Sequence, residues 1–90
     1  MSLKYRYNKK FLNDLSQIPK KQRLKIETFV FSEVMKYKAP NDIPNLNKLK
    51  GYTNYYKIRF GNYRAGIRLT ENILIFERIL HRKELYKFYP

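Results

Sequence analysis

The chain has 90 residues, 43% of them hydrophobic, with 20 Lys+Arg against 7 Asp+Glu and a net charge of +13. That is enough for one small domain with one core, and the lack of cysteine excludes a disulfide framework and a cysteine metal site. No early segment has the roughly 7–15 apolar residues of a signal peptide, nothing approaches the about 20 of a membrane span, and no lipid-anchor motif is present, so a soluble cytoplasmic protein is expected, with nucleic acid or an acidic protein as its polyanionic partner.

Leu3–Tyr7 (LKYRY) alternates and is rich in β-formers, which predicts a first strand. Asn8 is placed to cap a helix from Lys9, in which Phe11, Leu12, Leu15 and Ile18 share one stripe. Pro19 suits the first turn of a second helix. There Ile26, Val30, Val34 and Tyr37 recur at helical spacing, widened by Leu24, Phe29 and Phe31. The two helices form an antiparallel hairpin with Lys and Arg on the wet side.

The prolines and asparagines between Ala39 and Tyr52 predict a loop. Three strands follow, Tyr55–Phe60, Tyr63–Thr70 and Ile73–Leu80, and the chain closes with HRKELYKFYP, one or two helical turns. The order β-α-α-β-β-β gives an α+β fold, with the helical hairpin packed on a mainly antiparallel sheet and a short C-terminal helical tail.

FGNY holds a two-residue Gly61-Asn62 turn, which sets the pairing of its flanking strands. Arg59 opposes Arg64, Ile58 opposes Ala65, and Lys57 opposes Gly66. Tyr56, Ile58, Phe60, Tyr63, Ala65, Ile67 and Leu69 then share the face that suits the helices. Lys57, Arg59, Arg64 and Arg68 share the other, and a one-residue slip would bury all four cations. Like charges directly opposed cost up to about 1 kcal/mol per pair. An anion between Arg59 and Arg64 offsets that cost, whereas a merely solvated basic face is the plain alternative. Gly66 points to close approach by a ligand or another chain.

The last strand is apolar on both parities, so it is expected to be central and covered on both sides. If Glu71-Asn72 is a two-residue turn, Glu77 falls on the cationic face as a charge partner for Arg64 or Lys57, and Arg78 falls on the apolar face. His81, the single histidine, follows that strand within reach of the cationic face. Arg82 and Tyr86 lie four apart on one side of the tail helix. The plain alternative for Tyr86 is core packing, as for Phe88 and Tyr89.

In these stretches, NKLKG, YYKIRFGNYRAGIRL and ILIFERILHRKELY, the chain resembles the RelE/ParE superfamily of toxins from type II toxin–antitoxin modules. The likeness runs essentially end to end. It implies the RelE-like fold and a cognate antitoxin encoded nearby. For the RelE branch it implies ribosome-dependent cleavage of mRNA in the A site, which arrests translation. By position, Lys57, Arg59 and Arg64 match the hairpin cations of that branch, Arg82 and Tyr86 its tail arginine and tyrosine, and His81 a basic or histidine position. Lys50 matches a basic loop position, and Lys48 and Arg68 join it as candidate RNA contacts. Arg59 stands where the best-known relative has lysine, which suits a charge stabiliser better than a base.

The expected chemistry is RNA transesterification by the substrate's own 2′-OH, needing no metal and no cofactor. Arg64 and Arg59 would face the phosphorane, Arg82 the leaving group or phosphate, and Lys57 or His81 the 2′-OH proton, with Tyr86 stacking on a base or orienting the 2′-OH. The alternatives are a ParE-like gyrase inhibitor and a basic RNA- or ribosome-binding protein without chemistry.

Overall fold

The computed structural model describes residues 3–90. Strand β1 (Lys4–Tyr7) leads into helices α1 (Lys9–Ser16) and α2 (Lys20–Phe31). After two 3-10 turns, at Glu33–Lys36 and Pro40–Asp42, come β2 (Leu46–Lys48), β3 (Tyr55–Phe60), β4 (Tyr63–Thr70), β5 (Ile73–His81) and α3 (Arg82–Phe88). The five strands form one sheet in the order β1-β5-β4-β3-β2, antiparallel except where β1 runs parallel to β5.

The β3–β4 and β4–β5 turns each have two residues. Gly61 has φ 57°, the left-handed value that the first position of a II′ hairpin turn requires. At the second turn Glu71 and Asn72 both have positive φ, 45° and 68°. The β3–β4 register is the expected one, from Phe60 opposite Tyr63 to Tyr56 opposite Ile67.

The inner face of the sheet lies under α1 and α2. Phe11, Ile26, Val30, Ile58, Ile67 and Phe76 are fully buried there, as the alternation of β3 and β4 requires. Tyr7 stacks on Phe76 with ring centroids 5.3 Å apart. The Tyr5 hydroxyl, at 3.0 Å from both, bonds the carbonyls of Val34 and Tyr37, so β1 is tied to the segment after α2.

Three expectations need correction. The second helix ends at Phe31 rather than running through Tyr37, because Thr28-Phe29-Val30-Phe31 is a run of poor helix formers and Ser32 leaves the helical region at φ −136°. Val34 still reaches the core from the 3-10 turn that follows. The stretch expected as loop contains β2, whose Leu46 pairs with Ile58 and packs on the core. Asn8 stands at the start of α1 but makes no side-chain cap; its amide donates to Glu77 at 3.4 Å.

A further departure lies in β5. Thr70 to Ile67 pair with Ile73 to Phe76, then the register shifts and Gly66 pairs with Arg78, so Glu77 is the extra residue of a β-bulge. Asp14 of α1 supports this irregularity. Its carboxylate accepts from Arg78 at 2.7 and 3.1 Å and from the Ile79 backbone N–H at 3.1 Å. Arg78 thus turns to the helix side, and Glu77 to the outer face.

Candidate functional site

The outer face near the hairpin turn carries Lys57, Arg59 and Arg64, placed there by the parity that sends Ile58 and Ala65 into the core. Arg59 and Arg64 are directly opposed. Arg64 bends its guanidinium back over the turn, donating to the carbonyl oxygens of Gly61 at 2.6 Å and Tyr63 at 3.0 Å. These carbonyls offset part of the like-charge cost. Partial burial, followed by the positive charges of Arg59 and then Arg82, still pushes the Arg64 pKa down. A group so placed gains most when an anion arrives.

Helix α3 brings the second half of the site. It lies on the outer face beside this patch because Leu85 and Tyr89, one turn apart, are buried there with Leu49 and against Leu80. The backbone N–H of Arg82 donates to the Asn62 carbonyl at 2.8 Å, which pins the start of α3 to the hairpin turn. Arg82 and Tyr86 share the neighbouring, exposed side of the helix. Tyr86 is 61% exposed, and its hydroxyl accepts a hydrogen bond from Lys57 Nζ. The core-packing alternative fits Tyr89, while Tyr86 and Phe88 both face outward.

Five of the candidate residues therefore converge: Lys57, Arg59 and Arg64 from the hairpin, Arg82 and Tyr86 from the tail. The others do not join them so directly. His81 opposes Tyr63, on the inner parity, and rests its ring edge against that tyrosine at 5.9 Å. Its Nδ1 accepts from the Lys83 N–H, capping α3. The cleft beside it, about 340 Å³, is lined by Asp14, Gln17 and Ile18 on the helix side. Lys48 opposes Tyr56 and so has inner parity at the sheet edge, and Lys50 is exposed just beyond the buried Leu49.

Arg68 has outer parity, but its Nε donates to Glu77 at 3.1 Å, and that hydrogen bond is the main cause of its raised pKa. Glu77 is thus the partner of Arg68, not of Arg64 or Lys57, because the bulge sets it farther along β4. The close approach at Gly66 is made by this chain itself. The ring of Tyr89 fills the space over it. These tail contacts have a faint sequence signal, an apolar i, i+4 pair at Leu85 and Tyr89, which the other aromatic residues of the tail obscure.

A sheet of this order, with a helical pair on one face and a cationic hairpin overlaid by a C-terminal helix on the other, defines the RelE-type toxin architecture. Residues 5–86 match the family model described as ParE toxin of type II toxin–antitoxin system, parDE. A protein named Toxin RelE3 from Methanocaldococcus jannaschii is 39% identical over 89 residues, covering 98% of this chain and all of that protein. The toxin in a RelB–RelE antitoxin–toxin complex from Methanococcus jannaschii superposes with a TM-score of 0.78 at 38% identity, over 94% of this chain and 99% of that one. The RelBE2 toxin–antitoxin complex from Mycobacterium tuberculosis shares the fold, with a TM-score of 0.71 at 19% identity, over 91% of this chain and 93% of that one. The chain belongs to the RelE/ParE superfamily and is a type II toxin of the RelE family.

Proposed function

We propose that this toxin is a ribosome-dependent mRNA endoribonuclease, acting in the cytoplasm on mRNA in the ribosomal A site. The observation that carries the reading is the meeting of Arg59, Arg64 and Lys57 with Arg82 and Tyr86 across the hairpin and α3. The 2′-OH of one nucleotide attacks its own 3′-phosphate, its proton passes to Lys57 in its neutral amine form, held in place by Tyr86, and the following 5′-oxygen leaves with a proton delivered from the Arg82 side. A 2′,3′-cyclic phosphate and a 5′-hydroxyl remain. Arg64 and Arg59 meet the charge that builds on the phosphorane, where donors already in place act without reorganising. His81 serves from behind, by capping the helix that carries Arg82 and Tyr86.

The relatives caught with RelB-type antitoxins support a cognate antitoxin for this chain, and the +13 charge suits an acidic one. Purified toxin added to a translating extract should create new 5′ ends within codons of the message. Arg64→Ala should lower the cleavage rate by about 10²–10³-fold, the range for losing one oxyanion donor. Uncut message with wild-type toxin would sink the proposal. The ParE description of the family model makes gyrase the second target to check, and inhibition of supercoiling in the absence of cleavage would select it.

A further inference from the structure

The Lys57–Tyr86 hydrogen bond joins strand β3 to the exposed side of the seven-residue helix α3. What holds α3 lies on its other side. The Tyr89 ring sits flat over Gly66, so close that a Cβ on residue 66 would come within 2.6 Å of ring carbon Cδ2. Gly66 is the residue directly opposite Lys57. The same gap in the sheet surface that admits Tyr89 therefore sets how near α3 comes to the Lys57 amine.

The Tyr89 hydroxyl then reaches the bulge. It donates to Glu77 Oε1 at 2.9 Å, while Oε2 of the same carboxylate is held by Arg68 at 3.1 Å and by Asn8 at 3.4 Å. Tyr55 closes the edge-on side of the ring at 5.8 Å. Tyr89 is only 6% exposed, and Tyr86, three residues earlier, is turned out to the cationic patch. The bulge places Glu77 between the registers of Gly66 and Ile67, where its carboxylate meets both the phenol and Arg68.

The geometry points to Gly66, Glu77 and Tyr89 as a latch that seats α3 and thereby sets Tyr86 against Lys57 and Arg82 beside Arg64. They are positioning residues for the cleavage proposed above, and the inference rests on that reading for its consequence. Arg68 belongs to the latch rather than to the RNA surface, because its charge is spent in holding Glu77.

The test removes the latch from two sides. Tyr89→Phe keeps the ring and loses the bond to Glu77; Gly66→Ala keeps the bond partners and closes the seat. Amide hydrogen exchange in Leu85–Tyr89 should quicken in each, by about tenfold or more in Tyr89→Phe, the expected scale for one hydrogen bond to a charged group. The single-turnover cleavage rate at saturating ribosomes should fall in step, with the half-saturating ribosome concentration changed less than about twofold. Glu77→Gln, which still accepts the phenol proton, should lie between wild type and Tyr89→Phe. Unchanged exchange in both variants overturns the latch. Faster exchange with an unchanged cleavage rate overturns the positioning role. A wild-type protein that leaves the message intact refutes the nuclease reading instead, and the exchange measurement then decides the latch on its own.

Discussion

Asp14 has two dependants on β5, and they respond differently to its loss. Its carboxylate satisfies the Arg78 guanidinium and the Ile79 N–H, with the carboxylate side chain 11% exposed and the arginine 23%. Its hydrogen bond to Arg78 is the first cause of that residue's raised pKa. Arg78→Met removes one partner and leaves Asp14 bonded to the backbone. Asp14→Ala strands a half-buried cation and a backbone donor together. Urea unfolding should register about 3 kcal/mol for Asp14→Ala against about 1.5 kcal/mol for Arg78→Met, and the double variant should recover part of the larger loss. Equal losses would mean that the Ile79 bond contributes nothing. The residue scale also shows where charge alone misleads. Arg64, Arg68 and Arg78 all lie in the sheet, yet only Arg64 is left facing other cations, and the difference comes from carboxylates on residues 14 and 77.

At the level of elements, the Glu71-Asn72 turn is the clearest place where local preference is overridden. Both residues sit on the left-handed side, which suits Asn and strains Glu. Glu71→Asn should therefore stabilise the protein, by about 1 kcal/mol, read as a higher urea midpoint at unchanged slope. The elements that could be read from sequence are those with a strict local rule. Gly61-Asn62 fixes one register, and the alternation on either side then sorts Lys57, Arg59 and Arg64 from Ile58 and Ala65. Strand β2 escaped because Leu46–Lys48 is three residues long amid turn formers, and its partner is what makes it a strand. The bulge at Glu77 escaped because its support comes from Asp14, across the chain in α1. The facing of α3 was half visible. Arg82 and Tyr86 share a side by spacing, but which aromatic goes inward depends on a gap at Gly66 that no local pattern announces.

For the molecule as a whole, three tyrosines couple folding to pH. Burial raises the pKa of Tyr5, Tyr7 and Tyr89; the Tyr5 hydroxyl adds to the shift at Tyr7, and the bond to Glu77 adds to it at Tyr89. Each folded-state pKa lies above the ordinary 10.0, so below pH 10 both folded and unfolded chains keep the proton and stability is flat. Above it the unfolded chain loses protons that the folded one retains, so stability falls as pH rises, most of all through the well-buried Tyr89. Unfolding free energies measured from pH 9 to 11.5 should show this downturn, and Tyr89→Phe should make it shallower. An undiminished slope would mean that the Tyr89 hydroxyl ionises as freely in the folded protein as in the unfolded one.

The neighbour of β1 in the sheet is β5, and the two run parallel from Lys4 beside Ile73 to Tyr7 beside Phe76. Synthesis makes the first of these strands long before the second. Until Ile73–His81 has emerged, β1 has no partner, β4 has one bare flank, and α3 does not exist. Contacts of such separation also close slowly. A polypeptide grown only that far thus carries the helices and some of the cations but not the assembled candidate site. For a protein whose proposed substrate is held in the machine that makes it, chain order acts as a delay: the site stays open until β5 and α3 have both been made.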